Sequence, residues 1–138
     1  THNSTKVFQA LRIFVNKEIS QLVDGLIKSV KILKNNGMIV FVSFHSLEDK
    51  IIKSFFKVLS ENDKVSRYLP DNTATPNILK LIKKKPITPS DKELKINRPS
   101  RSAKLRYAMK INEAINFESI IYKKFKFLID IERLSEKL

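Results

Sequence analysis

One histidine, His45, lies where an apolar run of the chain turns polar. The stretch from Met38 to Lys50 reads MIVFVSFHSLEDK, and its apolar part ends at Ser43. A histidine ring can hydrogen-bond a phosphate or a base edge and can stack on a base, and serine hydroxyls add further hydrogen-bonding groups. These residue types predict a nucleic-acid contact at Ser43, His45 and Ser46. The alternative is that His45 only satisfies local backbone groups where the apolar run ends.

Four basic residues within the segment NRPSRSAKLR form a second candidate site: Arg98, Arg101, Lys104 and Arg106. On a strand, Lys104 and Arg106 share one face and can reach the same phosphate-lined surface. Arg98 and Arg101 precede that strand on a flexible segment containing proline and serine, where a guanidinium is suited to bidentate phosphate contacts. We therefore predict that this cluster binds phosphates of a nucleic-acid backbone.

Positive charge is concentrated in one quarter of the chain. The 138 residues include 27 Lys and Arg against 14 Asp and Glu, a net charge of +13. Residues 76–110 hold eleven basic and two acidic residues, including three lysines at 83–85, whereas residues 111–138 hold five of each. Such concentration favours a surface that faces a polyanion, most often nucleic acid. A lysine-rich face that is merely solvated is the simpler alternative.

A polar stripe on the first predicted helix is a weaker candidate. Gln9 and Asn16 are seven residues apart, which places them on one helix face, and Arg12 falls between them. These three side chains are candidates to line a cleft. Such a stripe is also what the solvated side of any surface helix looks like.

Several classes of site and location are not indicated by the sequence. It contains no GxGxxG, P-loop or HExxH motif, and no cysteine for a disulfide or a Cys-based zinc site, so no metal site is predicted. No apolar run approaches the roughly 18 residues of a membrane span, and the first residues lack the pattern of a secretory signal. The neutral charge of residues 111–138 argues against an anionic membrane surface. We therefore expect a cytoplasmic protein.

The apolar pattern predicts the elements that position these residues. Apolar residues at helical spacing indicate a helix over 4–34, with a possible break near Asp24 and Gly25, and a turn follows at 35–37. Residues 38–42 form a strand without polar alternation, which is typical of a parallel sheet covered on both faces. Ser46 is expected to cap the next helix with Asp49 as its capping-box partner.

The second half of the chain is predicted to be a loop, two strands and a helix. Residues 61–76 read as a loop, 78–83 as a strand, 90–97 as a short helix or loop, 103–111 as a half-buried strand antiparallel to the preceding one, and 113–138 as an amphipathic helix. This order indicates an α/β architecture. One buried parallel strand and an antiparallel pair make too small a sheet, so the sheet looks incomplete.

Three segments taken together carry a specific resemblance: FQALRIFVN (8–16), SFHSLEDKIIKSFF (43–56) and RSAKLR (101–106). In this order and spacing the chain closely resembles the bacterial RsmH family, also called MraW. The element at 85–90 also resembles the segment that precedes the last strand in that family. The resemblance covers about residues 1–110. It implies an enzyme that methylates N4 of a cytosine in 16S ribosomal RNA with S-adenosylmethionine.

The resemblance also implies which part of the enzyme this chain supplies. It is similar to the C-terminal half of a Rossmann-like (class I) methyltransferase sheet, in which the seventh strand lies between the fifth and the sixth. Residues 1–110 would be the C-terminal portion of the methyltransferase domain, and residues 111–138 a helical extension. The family's cofactor-binding motifs lie in an N-terminal half that this sequence lacks, so no residue here is predicted to bind the cofactor.

The expected partners are therefore 16S rRNA and the missing N-terminal half. Ser43, His45 and Ser46 would line the RNA side of the cleft, and the cluster at 98–106 would hold phosphates, so both bind without carrying out chemistry. The chain alone is expected to be inactive and not to bind S-adenosylmethionine.

Two departures and two alternatives accompany this interpretation. The family usually has proline and alanine near Asn3 and Ser4. It also often has the order Asn-Pro-Arg where this chain has Asn97-Arg98-Pro99, which leaves the direction of the Arg98 side chain open.

A stand-alone basic RNA-binding module without catalysis is one alternative. An assembly partner that uses the C-terminal amphipathic helix is the other.

Overall fold

The computed structural model describes residues 3–61 and 77–134, apart from the side chain of Asn3. The elements, in chain order, are α1 (Asn3–Asn16), α2 (Glu18–Ile32), β1 (Met38–Ser43), α3 (Ser46–Ser60), β2 (Leu79–Leu81), α4 (Asp91–Ile96), a 3₁₀ turn (Arg98–Ser102), β3 (Lys104–Lys110) and α5 (Glu118–Arg133). The predicted α/β class is confirmed. The loop predicted at 61–76 lies outside the described residues except for Glu61.

The three strands form one sheet in the order β1-β3-β2, and both pairs are antiparallel. Val40 lies opposite Tyr107 in one pair, and Lys80 lies opposite Met109 in the other. The last strand of the chain therefore lies between the two earlier ones, as the family resemblance implies. The antiparallel arrangement predicted for β2 and β3 is confirmed.

Only one face of β1 is covered by the described residues. Ile39 is buried and the ring of Phe41 lies 5.8 Å from that of Phe56 on α3, whereas Met38, Val40 and Val42 are about half exposed (46%, 51% and 53%). The expectation of a strand buried on both faces is thus wrong for this part of the chain, because α3 packs on one face and no described element covers the other. The outer edge of β1 also pairs with no described strand.

The long helix predicted for residues 4–34 is divided in two at Lys17. This residue adopts a left-handed backbone conformation (φ 52°), which ends α1 and lets α2 begin in a new direction. The predicted break near Asp24 and Gly25 is wrong, since Gly25 lies inside α2 with no atom within 4 Å of the position of an added Cβ.

The two ends of α2 are held by charged side chains from distant parts of the chain. The carboxylate of Glu132 on α5 accepts hydrogen bonds from the backbone N–H groups of Ile19 and Ser20, both at 2.8 Å, and from the Ser20 hydroxyl at 2.6 Å. At the other end, the buried ammonium of Lys110 donates to the carbonyl oxygen of Leu33 at 2.6 Å. An anion at the first turn and a cation at the last both suit the helix dipole.

The core lies between the sheet, α2, α3 and α5. Its fully buried side chains include Val23, Leu26, Val30, Phe55, Leu79 and Ile121. The hydroxyl of Tyr122 on α5 donates to a carboxylate oxygen of Asp24 at 2.7 Å, and this hydrogen bond raises the pKa of the tyrosine. Residues of α5 and α2 share this core. The predicted division between a methyltransferase domain ending at residue 110 and a helical extension after it stays a prediction.

The turn before β1 combines a left-handed residue with a close approach. Asn36 has φ 65°, as the predicted helix stop requires, and its N–H donates to the carbonyl of Lys110 at 2.8 Å. A Cβ at Gly37 would lie 2.7 Å from a methyl carbon of Leu33 and 2.8 Å from the carbonyl oxygen of Lys34. Across residues 3–61 and 77–134, no helix has the length and apolar character needed to cross a bilayer.

Candidate nucleic-acid interface

His45 lies at the carboxyl end of β1 and forms the N-cap of α3. Its backbone is extended (φ −115°, ψ 143°), and the carboxylate of Glu48 accepts from the backbone N–H groups of Phe44 and His45 at 3.3 and 3.4 Å. The cap predicted at Ser46 with Asp49 is thus displaced by one residue, because β1 continues through Ser43 and the helix begins directly after His45.

Arg12 brings α1 to this strand end. Its guanidinium Nη2 lies 3.3 Å from Nε2 of His45, and its Nε lies 2.9 Å from a carboxylate oxygen of Glu18. Because a guanidinium only donates, Nε2 of His45 is the acceptor in this contact. Asn16 also donates to Glu18, at 3.4 Å. Three predicted site residues, Arg12, Asn16 and His45, are therefore brought together.

Glu18 connects these residues and is not among the predicted site residues. It lies six positions after Arg12, a spacing that does not place two residues side by side on one continuous helix. The bend at Lys17 makes the contact possible. Recognising that the pair Asn16-Lys17 can adopt a left-handed turn is the one sequence signal that points to it.

Two further predicted site residues, Gln9 and Ser46, lie in different surroundings. Both line a groove of about 290 Å³ between α1, the start of α3 and α5, whose lining also includes Ile19 and Glu132.

Ser43, in contrast, is only 3% exposed on the covered face of the sheet. Its proposed contact with RNA has no support from this geometry and stays a prediction.

Arg106 and Lys104 share one carboxylate, that of Asp49 on α3. Arg106 binds it through two hydrogen bonds, Nε to Oδ1 at 2.7 Å and Nη2 to Oδ2 at 3.2 Å, and Lys104 adds a third at 3.3 Å. Burial raises the pKa of Asp49, but the hydrogen bonds from Arg106 and then Lys104 outweigh it, so this pKa lies below its ordinary value.

This ion pair limits what Arg106 can do for a ligand. Its side chain is 10% exposed, close to the 9% of Asp49, whereas that of Lys104 is 39% exposed. The shared strand face predicted for Lys104 and Arg106 therefore holds, but it is directed largely at α3. Contact of either residue with phosphate stays a prediction, and Lys104 has the better access.

Arg98 and Arg101 are exposed on the 3₁₀ turn that leads into β3. The segment expected to be flexible is a defined turn, in which the buried Ser100 donates its hydroxyl to the carbonyl of Asn97 at 2.7 Å. Within the described parts of the chain, neither guanidinium forms a hydrogen bond or an ion pair. Both are therefore available to an anion.

Metal binding has no candidate among the described residues. Residues 3–61 and 77–134 contain no group of three or more His, Asp or Glu side chains positioned to hold an ion. Two acids at this strand end are engaged otherwise: Glu48 with the cap of α3 and Glu18 with Arg12.

Comparison with known proteins identifies similar sequences. The sequence profile of the MraW methylase family matches residues 1–111. The protein named ribosomal RNA small subunit methyltransferase H from Rickettsia rickettsii (strain Sheila Smith) is 51% identical over 113 residues, covering 80% of this chain and 37% of the relative.

Two relatives with the same name come from other organisms. The Bartonella bacilliformis protein is 42% identical over 132 residues, covering 86% of this chain and 40% of the relative. The Sulfurihydrogenibium protein is 44% identical over 110 residues, covering 80% and 33%. The chain thus spans about a third to two fifths of the length of these relatives. The family match over residues 1–111 includes α1, His45 and the basic cluster at 98–106.

Proposed function

Since the chain belongs to the MraW methylase family, we propose that it forms the C-terminal part of an rRNA methyltransferase. In this proposal the complete enzyme transfers a methyl group from S-adenosylmethionine to N4 of a cytosine in 16S rRNA, in the cytoplasm. The names of its relatives support methylation of small-subunit rRNA. The cofactor and the position on the base follow from the family resemblance.

The bare side of β1 supports the proposal that further chain completes the domain. Met38, Val40 and Val42 are about half exposed on one face of the sheet, and Phe8 and Val15 on α1 are 71% and 68% exposed. Soluble proteins rarely leave apolar sheet faces and strand edges uncovered. About 60% of the length of these relatives lies outside the matched region, and in this proposal that part covers the exposed surfaces.

The observation that carries the functional proposal is the contact between Arg12 and His45 at the carboxyl end of β1. Ligands of open α/β sheets bind outside the carboxyl ends of the strands. Arg12 contacts the imidazole at Nε2 and so orients the ring, which is thereby placed to stack on a base. The exposed guanidiniums of Arg98 and Arg101 are suited to backbone phosphates. In this proposal these residues bind and orient RNA.

S-adenosylmethionine would supply the methyl group, but the residues present do not fit it. Class I methyltransferases resemble other nucleotide-binding α/β folds in placing a glycine-rich turn between a strand and a helix. The chain has two glycines, of which Gly25 lies inside α2 and Gly37 lies before β1 rather than after it. We therefore derive no step through this cofactor.

Reconstitution tests the proposed function. The chain is mixed with the N-terminal region of the Rickettsia rickettsii relative, and labelled methyl transfer from S-adenosylmethionine into 16S rRNA is measured, with mass spectrometry of the digested RNA for N4-methylcytidine. We expect transfer only when both parts are present, and its reduction by His45→Ala. Transfer by the chain alone, or none from the mixture while the intact relative is active, would contradict the proposal.

A stand-alone RNA-binding module is the second candidate, favoured by the exposed guanidiniums of Arg98 and Arg101 on the 3₁₀ turn. It requires RNA binding without methyl transfer in any mixture. Sequencing the DNA upstream of this reading frame distinguishes the two: a frame encoding a glycine-rich cofactor domain favours the enzyme, and its absence favours the module.

A further inference from the structure

A second basic surface lies beside the C-terminal half of α3. Four exposed lysines, Lys53, Lys57, Lys83 and Lys84, surround a small hollow of about 80 Å³, and we call these four the lysine rim. The wall of the hollow includes the side chain of Arg106. Lys53 and Lys57 follow His45 by 8 and 12 residues, which corresponds to about 12–18 Å along α3 at 1.5 Å per residue. The rim is therefore distinct from the candidate site at His45.

The lysine rim is built from two elements that the fold fixes against each other. Lys53 and Lys57 are four residues apart on one face of α3. Lys83 and Lys84 follow β2, and the carbonyl oxygen of Lys84 accepts a hydrogen bond from Nη1 of Arg106 at 3.1 Å. The same guanidinium is held by the buried carboxylate of Asp49. Arg106 thus anchors the lysine-bearing turn to α3, so the rim is preorganised.

The charges around the hollow are poorly balanced. Of the described residues that line it, only Glu61 is acidic, and its carboxylate lies 3.8 Å from the ammonium of Lys57. Phe56 and Leu81 supply apolar lining, which offers the lysines no counter-charge. Like charges held around one concavity repel each other, and a bound anion relieves that repulsion. The arrangement therefore suits an anionic group.

We propose that the lysine rim binds backbone phosphates of the rRNA substrate at a point separate from the base that is methylated. This inference rests on the proposed function, which makes RNA the anionic partner. A segment of a few nucleotides bridges the separation from His45, so the rim anchors the strand while the site at His45 receives the base. Among the described residues that line the hollow, no aromatic side chain is exposed, which favours phosphate over base contacts, and RNA over an anionic membrane, which also requires apolar insertion.

Two charge-matched triple variants test this proposal. Lys53→Gln, Lys83→Gln and Lys84→Gln are combined in one, and Lys123→Gln, Lys124→Gln and Lys126→Gln, all exposed on α5, in the control. Binding of the 138-residue chain to a fluorescent 16S rRNA fragment is measured by anisotropy over a range of KCl concentrations. We expect the rim variant to bind about tenfold more weakly near 0.1 M salt, with a salt slope lower by about two, and the control to change less than about twofold.

The outcomes separate this inference from the function on which it rests. Equal losses of RNA affinity in the two variants would contradict the proposed role of the rim, since only total charge would then matter. The proposed function would be unaffected. If the rim variant alone binds RNA more weakly but the reconstituted mixture transfers no methyl group, the proposed enzymatic function is contradicted and the proposed RNA contact of the rim stands. If the rim variant loses binding to phosphatidylserine vesicles while its RNA binding is unchanged, the rim binds an anionic membrane and the proposed RNA contact is contradicted. Thermal unfolding of both variants checks that each remains folded.

Discussion

At the scale of single residues, Arg106 shows which features of a basic cluster can be predicted from sequence and which cannot. Alternation along β3 correctly places Lys104 and Arg106 on one face, because a strand has a period of two. The pattern does not reveal their partner, since Asp49 lies 55 and 57 positions away on α3. Arg12, Asn16 and His45 were individually predictable from residue type. Their convergence depends on the bend at Lys17, which periodicity does not indicate.

The carboxylate of Asp49 gives a prediction for stability as a function of pH. Because its pKa is lowered in the folded state, its contribution is fully present above the unfolded pKa of about 3.9 and is lost as pH falls through the lower folded value. Asp49→Asn should therefore lower the free energy of unfolding by about 3 kcal/mol at neutral pH, because it leaves the buried guanidinium of Arg106 without its charge partner.

Urea unfolding between pH 2 and 7 checks this prediction. The difference between wild type and Asp49→Asn should shrink as the pH falls below about 4. Asp91→Asn, at an exposed acid on α4, is the control and should follow the wild-type curve. A difference that stays constant over the whole range would show that the charge of Asp49 is not responsible.

At the scale of elements, α2 depends on residues outside its own sequence. Its core face follows from helical periodicity, and the prediction of a helix here is confirmed. Its ends are set by Glu132 and Lys110, which are distant in sequence, so no local signal indicates them. Gly25 suggested a break because glycine disfavours helices, but burial of Val23 and Leu26 on either side outweighs a cost of about 1 kcal/mol.

Glu132 is the second residue for which we predict a stability effect. Glu132→Ala removes the acceptor for three donors in the first turn of α2 and should lower the free energy of unfolding by about 1–3 kcal/mol. Amide hydrogen exchange at Ile19 and Ser20 should accelerate most. Asp130→Ala, two residues away on the exposed side of α5, removes only a surface pair with Arg133 at 3.9 Å and should change stability little. Equal effects would exclude the capping role.

The two glycines offer a matched pair of substitutions with opposite signs. Gly25→Ala should raise the free energy of unfolding by about 0.5–1 kcal/mol, because alanine favours a helix interior and the added Cβ meets no atom within 4 Å. Gly37→Ala should lower it, because the Cβ would lie 2.8 Å from the backbone oxygen of Lys34. Thermal and urea unfolding of the two variants measure both effects. Stabilisation by Gly37→Ala would show that this turn moves easily.

At the scale of the whole molecule, the sequence predicts an incomplete sheet. The structure differs from the prediction in how much of β1 is covered. The unbroken apolar run at 38–42 predicts cover on both faces, yet the described residues cover only one. In the same way, the apolar spacing of Phe8, Leu11 and Val15 predicts a helix but not burial, since all three are more than half exposed. In the proposed function, the residues that cover these surfaces belong to an N-terminal region of the enzyme.

Val40 tests this interpretation directly, because it is 51% exposed in the chain by itself and would be buried if an N-terminal region covers β1. Val40→Arg should leave thermal unfolding of the chain within a few degrees of wild type, since an exposed side chain is changed. It should weaken association with the N-terminal region of the Rickettsia rickettsii relative at least tenfold by calorimetry, because a charge would then be buried without a partner.

Ile96→Arg provides the control for that measurement. Ile96 is 79% exposed on α4, and the same substitution there should leave the association unchanged. If Val40→Arg and Ile96→Arg bind the N-terminal region equally well, the bare face of β1 does not receive it. The exposed apolar residues of α1, Phe8 and Val15, would then be the surface to change next. If both weaken binding equally, the loss comes from added positive charge rather than from the strand.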